Sequence, residues 1–527
     1  MTPLHRTLAP LGLLLFTIAA GQERPDLLIA NGRIIDGTGN NWYYGDIAVH
    51  QGRILRIGRN LPRNATRILD AANRFVVPGF IDVHAHIEGG IFERPTADNY
   101  IYDGVTTVVT GNCGGSADDL GDFLKKIDST RTSINVASLA GHNTIRRMGM
   151  GLGDRQPTPD EQRRMEQLMA KAMGDGAVGL STGLIYLPGM YSKTDEIVGL
   201  ARIAAQQGGV YATHMRNEGA KVTDAIEEAL TIGRQAAIPV QISHFKVAGR
   251  SNWGRSTQTL DMVQAARREG IEVTIDQYPY TASSTNLAVT VPDWALDGGL
   301  DSLRVRIKNP STRHRITSDM VESLKKGRNK NYSYAVVANY GPDSTLNGKN
   351  ISEINIRKGR RKGPKAEAET ILDMLSVANA QMVYHTMNED DVIHFMRYPF
   401  NMPAADGGVS TGKGMPHPRG YGTNARVLGR YVREKAVITF EEAVRRMTSL
   451  PAQKFGLNNR GLLREGFQAD IVVFDPETVS DRSTFDNPHQ FSAGIPFVIV
   501  NGKVTIEEGR HNGTRSGIAV RNSHGRL

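Results

Sequence analysis

Phe80-Ile81-Asp82-Val83-His84-Ala85-His86 is the stretch from which the fold of this chain is read. Residues 75–83 are a largely apolar run interrupted by Pro78-Gly79, and a run of that length reads as a buried strand. Alternate residues of a strand share a face, so His84 and His86 can be aimed at one point. Two neutral imidazoles at a strand end make half of a divalent-metal site, provided oxygen or sulfur ligands arrive from elsewhere. Alone, an H-x-H pair is equally a pair of ordinary hydrogen-bonding histidines. The rest of the chain must decide between the two.

Working outward, strands and helices alternate. Strands are expected near residues 104–110, 134–139, 177–181, 209–213, 239–243, 272–276 and 402–406. Among their companions is a helix opened by Thr158-Pro159-Asp160-Glu161, with Thr158 as N-cap, Pro159 in the first turn and Glu161 closing a capping box. Met165, Leu168, Met169 and Ala172 then fall on one helical face. Thr439 with Glu442 reads as a second capping box. With the opening strand this makes about eight β/α units, the pattern of a TIM-like (β/α)8 barrel. Residues 381–387 read as one more strand, which leaves the barrel count open by one.

Both chain ends are different in kind. Short alternating segments broken by Gly and Asn fill residues 26–58, and similar ones recur at 470–475 and 497–505, the latter carrying an Asn501-Gly502 hairpin turn. The ends are expected to join in one small β-sandwich. Residues 294–365 interrupt the barrel rhythm with charge, turn residues and the basic run 357–362, and read as an inserted subdomain. The division expected is therefore a signal peptide at 1–21, sandwich at 22–78, barrel at 79–293, insert at 294–365, barrel at 366–459 and sandwich at 460–527.

The chain has 527 residues and a formal charge of +9. Its Lys and Arg residues are scattered rather than gathered on one face, so nucleic acid is not an expected partner. His5 and Arg6, an apolar run over 8–20, and small residues Ala19 and Gly21 read as a secretory signal peptide. Export to the periplasm or medium is the expected localisation, with no membrane span once the signal is removed. Cys113 is the sole cysteine, so no internal disulfide can form.

Metal-competent side chains recur at the strand ends. Cys113 follows the strand ending at Thr110, His214 follows Thr213, His244 follows Ser243, and Asp406 ends the last expected strand. In a parallel barrel those ends share one rim, where chemistry is done. His84, His86, Cys113, His214, His244 and Asp406 are therefore expected to converge, and coincidence at so many strand ends is hard to sustain.

The segments PGFIDVHAH, GVTTVVTGNCG, GLSTGLIYLPGMYS, YATHMRNEG, QISHFKVAG, DQYPYTASSTNL and HPRGYGTNARVLGRY, in that order, resemble the N-acyl-D-amino-acid deacylases (D-aminoacylases) of the amidohydrolase superfamily. The resemblance runs over residues 26–515 and implies a TIM barrel with a small β-sandwich. It makes Cys113, His214 and His244 the ligands of a tightly held zinc, with Cys113 standing where many relatives carry a carboxylated lysine. His84 and His86 would complete a second, weaker site, with Cys113 open to sharing. Asp406 matches the catalytic aspartate, and Lys246, Tyr278 and Ser284 match positions that hold the substrate's α-carboxylate. The activity implied is zinc-dependent hydrolysis of N-acyl-D-amino acids, small-molecule substrates that yield a carboxylate and a free D-amino acid.

Three other readings compete. Hydantoinase-like or dihydroorotase-like opening of cyclic amides usually relies on a carboxylated lysine in the fourth strand, and residues 177–183 contain no lysine. An exported binding protein without catalysis would be expected to have lost the aspartate or the ligands, and all are present. Cleavage of D-residue peptides breaks the same bond and stays open. His142 is expected to be structural or to support a ligand from behind, and His385 and His394 to be structural. Arg216 and Glu218 could pair with each other or touch ligand, and Arg419 could orient the insert or bind acid groups.

Overall fold

The computed structural model describes residues 24–522, so the expected signal peptide lies outside the described residues. Eight parallel strands form the central ring: Phe80–Asp82, Val105–Thr110, a bent strand of Asn135–Ser138 and Ala140–Gly141, Gly179–Gly183, Val210–His214, Val240–Ile242, Val273–Gln277 and Asn401–Pro403. Last and first strands meet through a parallel bridge between Ala85 and Gly407, where His86 N donates to Gly407 O at 2.8 Å.

Strand alternation sorts the apolar side chains into two cores. Val210 and Ala212 join Ile81, Val83, Val109, Ala137, Leu139 and Met402 in one buried cluster, which Leu450, Ala452 and Phe455 also enter. Tyr211, Leu180 and Ile275 face the surrounding helices in the other. The alternation that turns Val210 and Ala212 inward also turns His214 inward, at the end of its strand.

Helix Pro159–Gly174 has the expected capping box: Thr158 Oγ1 accepts from Glu161 N, and the Glu161 carboxylate accepts from Thr158 N. The box expected at Thr439 is half-formed. Thr439 caps Glu442 N, but the Glu442 carboxylate turns to Arg445 and Arg446, whose charges outcompete a backbone N–H.

The two chain ends meet in a nine-stranded sheet, joined where Phe75–Pro78 pairs antiparallel with Ile471–Phe474. Leu27–Ile34 pairs with Arg67–Asp70 through its first half and with Phe75–Pro78 through its second, so the sheet folds around a core of Leu27, Ile29, Ile47, Val49, Val473 and Ile499. Asn501 and Gly502 both have positive φ, 48° and 76°, as a two-residue type I′ hairpin requires.

The insert is wider than the expected 294–365. It opens with strand Ser283–Asn286 and closes with Gln381–Tyr384, the central strand, which pairs antiparallel with Ser283–Asn286 on one side and with Ala335–Asn339 on the other. Helices Gly299–Lys308, Pro310–Lys326, Ile351–Arg357 and Pro364–Val377 complete it around an apolar core of its own. The segment at 381–387 therefore supplies an insert strand rather than a ninth barrel strand.

Candidate metal centre

Cys113 sits in the tight turn Gly111-Asn112-Cys113-Gly114 at the end of strand Val105–Thr110. A Cβ on Gly111 would lie 2.2 Å from Leu139 O, and one on Gly114 would lie 2.2 Å from Asn143 Oδ1, so the turn packs directly on its neighbours. Asn112 anchors it by donating to Val83 O and Val109 O at 3.2 and 2.9 Å. Cys113, His244 and Asp406 all hold positive φ, at 52°, 34° and 46°. Backbone strain of this kind persists where the surrounding structure fixes it, and it collects at functional sites.

Around the sulfur, His84 Nε2 lies at 3.3 Å, and His214 Nδ1 and His244 Nε2 each lie at 3.6 Å. Asp406 Oδ1 lies 3.2 Å from His86 Nε2 and 3.5 Å from His84 Nε2. Three overlapping trios result, namely Cys113–His214–His244, His84–His86–Cys113 and His84–His244–Asp406, each with ligand atoms within 4.8 Å of one another. One soft sulfur among imidazoles and a carboxylate is a donor set suited to a borderline divalent ion. Burial alone would raise the Cys113 thiol pKa, but charged His84 and hydrogen bonds from His214 and His244 hold it well below its ordinary value. The thiolate is the ligating form.

Behind the imidazoles stand two carboxylates. Asp276 accepts His244 N and Gln241 Nε2, at 2.6 and 2.8 Å, and lies 3.4 Å from His84 Nδ1. Glu218 Oε1 lies 2.8 Å from His244 Nδ1 and accepts from Lys246 Nζ at 2.6 Å, while Oε2 faces His214 Nε2 at 3.7 Å. Asp406 is gripped from its other side by Arg419 Nη2 at 2.8 Å. Burial opposes charge on Asp406, yet Arg419 and the imidazoles of His84 and His86 hold its carboxyl well below the usual range.

His86, Cys113, His214, Glu218, His244 and Asp406 floor a cavity of about 520 Å³, walled on one side by Ser283–Asn286, Asn339 and Gln381 of the insert and on the other by residues 407–421. Residues 67–337 and 408–506 match the model of the amidohydrolase family. The N-acyl-D-glutamate deacylase of Alcaligenes xylosoxydans xylosoxydans is 37% identical over 91% of this chain and 93% of its own. The D-aminoacylase of the same organism is 35% identical over 93% of this chain and 96% of its own. The crystal structure of N-acyl-D-glutamate deacylase from Bordetella bronchiseptica, complexed with zinc and a phosphonate mimic of the tetrahedral intermediate, superposes with a TM-score of 0.81. It is 36% identical and covers 95% of this chain and 100% of that one. The chain belongs to the amidohydrolase family.

In this amidohydrolase the other expected site residues divide. Lys246 and Tyr278 line the cavity, both buried, with the ammonium 5.7 Å from the phenol ring centre. Ser284 also lines it, but its hydroxyl donates to Met382 O at 2.8 Å and accepts from Gln381 Nε2 at 3.0 Å. A ligand must compete with the insert sheet for that group. His142 is buried away from the cavity against Glu196, with Nε2 to Oε1 at 2.8 Å. Arg216 pairs with Glu228 rather than Glu218, and His394 bonds Ser256 Oγ at 2.9 Å. His385 meets Phe485 edge to face, with ring centres 4.8 Å apart.

Three further residues belong to the site, of which only Arg419, expected to orient the insert or bind acid groups, is assigned from sequence; it pairs with Asp406 and donates to Ser284 O of the insert at 3.3 Å. Arg419 carries a buried Nη1 without a hydrogen-bond partner and lies 4.3 Å over the Tyr278 ring. Tyr186 packs on His214, ring centres 4.9 Å apart, and its hydroxyl bonds Thr285 Oγ1 across the cavity at 2.9 Å. Asp276 braces His84 and His244 from below. Only the strand-end position of Asp276, next to Gln277, could have signalled it.

Proposed function

We propose that this protein hydrolyses the amide bond of N-acyl-D-amino acids, with zinc as its metal, and that it works outside the cytoplasm after signal removal. The observation that carries the reading is one cavity holding a thiolate-and-imidazole donor cluster, a carboxylate and two buried cations, Lys246 and Arg419. Relatives that cleave linear N-acyl amides, at 35 and 37% identity over nearly the whole chain, support the same class of bond here. Cys113, His214 and His244 would hold the tight ion, and His84 and His86, with Cys113, a second and weaker one. When bound, the metal supplies Lewis-acid polarisation of the amide carbonyl and acidifies the attacking water.

The chain's own residues do the rest. Asp406, kept ionised by Arg419, takes the proton of the attacking water at a carboxylate oxygen and delivers it to the leaving nitrogen. Lys246, with the Tyr278 hydroxyl, fixes the substrate's α-carboxylate by charge-assisted hydrogen bonds, and the unpartnered Arg419 Nη1 adds a donor on the same side. The rigid strand ends keep these groups in register with the scissile bond. Ser284 contributes by lining the cavity.

The test reconstitutes metal-free protein with zinc and follows N-acetyl-D-amino acids. Wild type regains turnover, and Asp406→Asn binds zinc but loses about 10²- to 10⁴-fold in kcat. Turnover by Asp406→Asn at the parental rate would overturn the role given to that carboxylate.

A further inference from the structure

We infer that Glu218 is a positioning residue that ties metal retention to recognition of the substrate carboxylate, by deciding which nitrogen of His244 carries the ring hydrogen. The inference rests on the proposed function for the identity of the carboxylate ligand, and on the geometry alone for the metal.

His244 Nδ1 is contested. Glu218 Oε1, an acceptor only, lies 2.8 Å away, and Lys246 Nζ, a donor only, lies 2.9 Å away. A neutral imidazole has one N–H. With the hydrogen on Nδ1, His244 donates to Glu218 and presents the bare lone pair of Nε2 toward Cys113 Sγ, 3.6 Å distant. With Nδ1 accepting from Lys246, the hydrogen moves to Nε2 and that nitrogen cannot ligate. Glu218 therefore favours the ligating form and Lys246 the other.

His214 adds an independent observation. Its Nδ1 faces Cys113 at 3.6 Å, so its Nε2 must carry the hydrogen when it ligates. That Nε2 is buried without a hydrogen-bond partner and faces the second oxygen of Glu218 at 3.7 Å. One carboxylate thus faces the outer nitrogens of two ligand imidazoles, which present opposite ring atoms to the sulfur. A glutamine could accept from only one of them, because its amide nitrogen would face the other N–H. Glu218 is itself paired with a cation, accepting from Lys246 Nζ at 2.6 Å.

Lys246 is the link to substrate. Its three N–H groups point to Glu218 Oε1 at 2.6 Å, His244 O at 2.9 Å and His244 Nδ1 at 2.9 Å. Once Nδ1 carries the hydrogen, the third N–H loses its acceptor and is released toward the cavity that Lys246 lines. The ligating tautomer and the free carboxylate-binding N–H are then the same state, so metal and carboxylate favour each other.

Two readouts test this: the rate at which zinc is lost to a chelator, and KM for N-acetyl-D-methionine. Glu218→Gln should lose zinc about 10- to 100-fold faster than wild type and raise KM by about tenfold or more. Lys246→Met should raise KM similarly but hold zinc at least as long as wild type, because the competitor for Nδ1 is gone. Zinc loss from Glu218→Gln at the wild-type rate would overturn the inference, as would an unchanged KM. If Glu218→Gln does not fold, Lys246→Met carries the test alone, and zinc loss faster than wild type overturns it. If wild type turns over no N-acetyl-D-amino acid while Glu218→Gln still sheds zinc quickly, the substrate reading falls and the positioning of the imidazoles stands.

Discussion

The floor and the wall of the cavity are built on opposite principles. The floor consists of ionisable side chains at barrel strand ends, buried and interlocked: Asp406 between Arg419 and two imidazoles, Glu218 between Lys246 and two others. The insert wall is neutral and more open, made of half-buried Ser283, Ser284, Thr285 and Asn286 with exposed Asn339 and Gln381. The floor is held by the barrel core, whereas the wall belongs to a unit with a separate apolar core. On the proposed function, chemistry is the work of the ring and selectivity that of an element able to vary without disturbing it.

The sharpest way to break this division is Cys113→Ala. The sulfur lies within 3.6 Å of three imidazole nitrogens, so its loss should abolish tight zinc and activity together while the barrel stays folded. Metal analysis after dialysis, read beside circular dichroism, checks it; zinc retained at wild-type stoichiometry would contradict the assignment. A step smaller, Leu372→Ala in the insert core should destabilise the insert by about 2–5 kcal/mol, with Leu372 fully buried among insert residues. Its zinc affinity should match wild type in a chelator competition, because no floor residue comes from that core.

Wall substitutions should act on selectivity alone. Asn286→Leu is expected to change the ratio of kcat/KM between apolar and polar D-side chains by about 10- to 200-fold, with zinc retention unchanged. A fall in kcat for every substrate alike would place Asn286 in the chemistry and blur the distinction. The smallest effect is expected at His142. It is buried on Glu196 and away from the cavity, so His142→Gln should lower the melting temperature measurably and leave KM as it was.

Much of the floor could be read from sequence because each ligand candidate closes a recognisable apolar strand. Val105–Thr110, Val210–His214 and Val240–Ile242 are buried throughout, and the residue types that follow them are few. The links among those residues could not be read. Lys246 reaches Glu218 across 28 positions, and Arg419 reaches Asp406 from the helix Arg419–Arg426, contacts set by the closing of the ring rather than by local spacing. The insert boundary failed for a different reason. Strand Ser283–Asn286 has the sequence SSTN and is half-buried along its length, so it offers no apolar alternation to detect. The eighth barrel strand, Asn401–Pro403, is short and was separable from Gln381–Tyr384 only once their pairing partners were known.

The most direct test of the whole account is chiral analysis of the amino acid released when the zinc-loaded protein is given racemic N-acetyl-methionine, racemic N-acetyl-glutamate and a cyclic amide such as dihydrouracil. Release of D-amino acid alone from at least one N-acetyl substrate, with the cyclic amide untouched, is the predicted result. Ring opening of the cyclic amide with no D-amino acid released would contradict it.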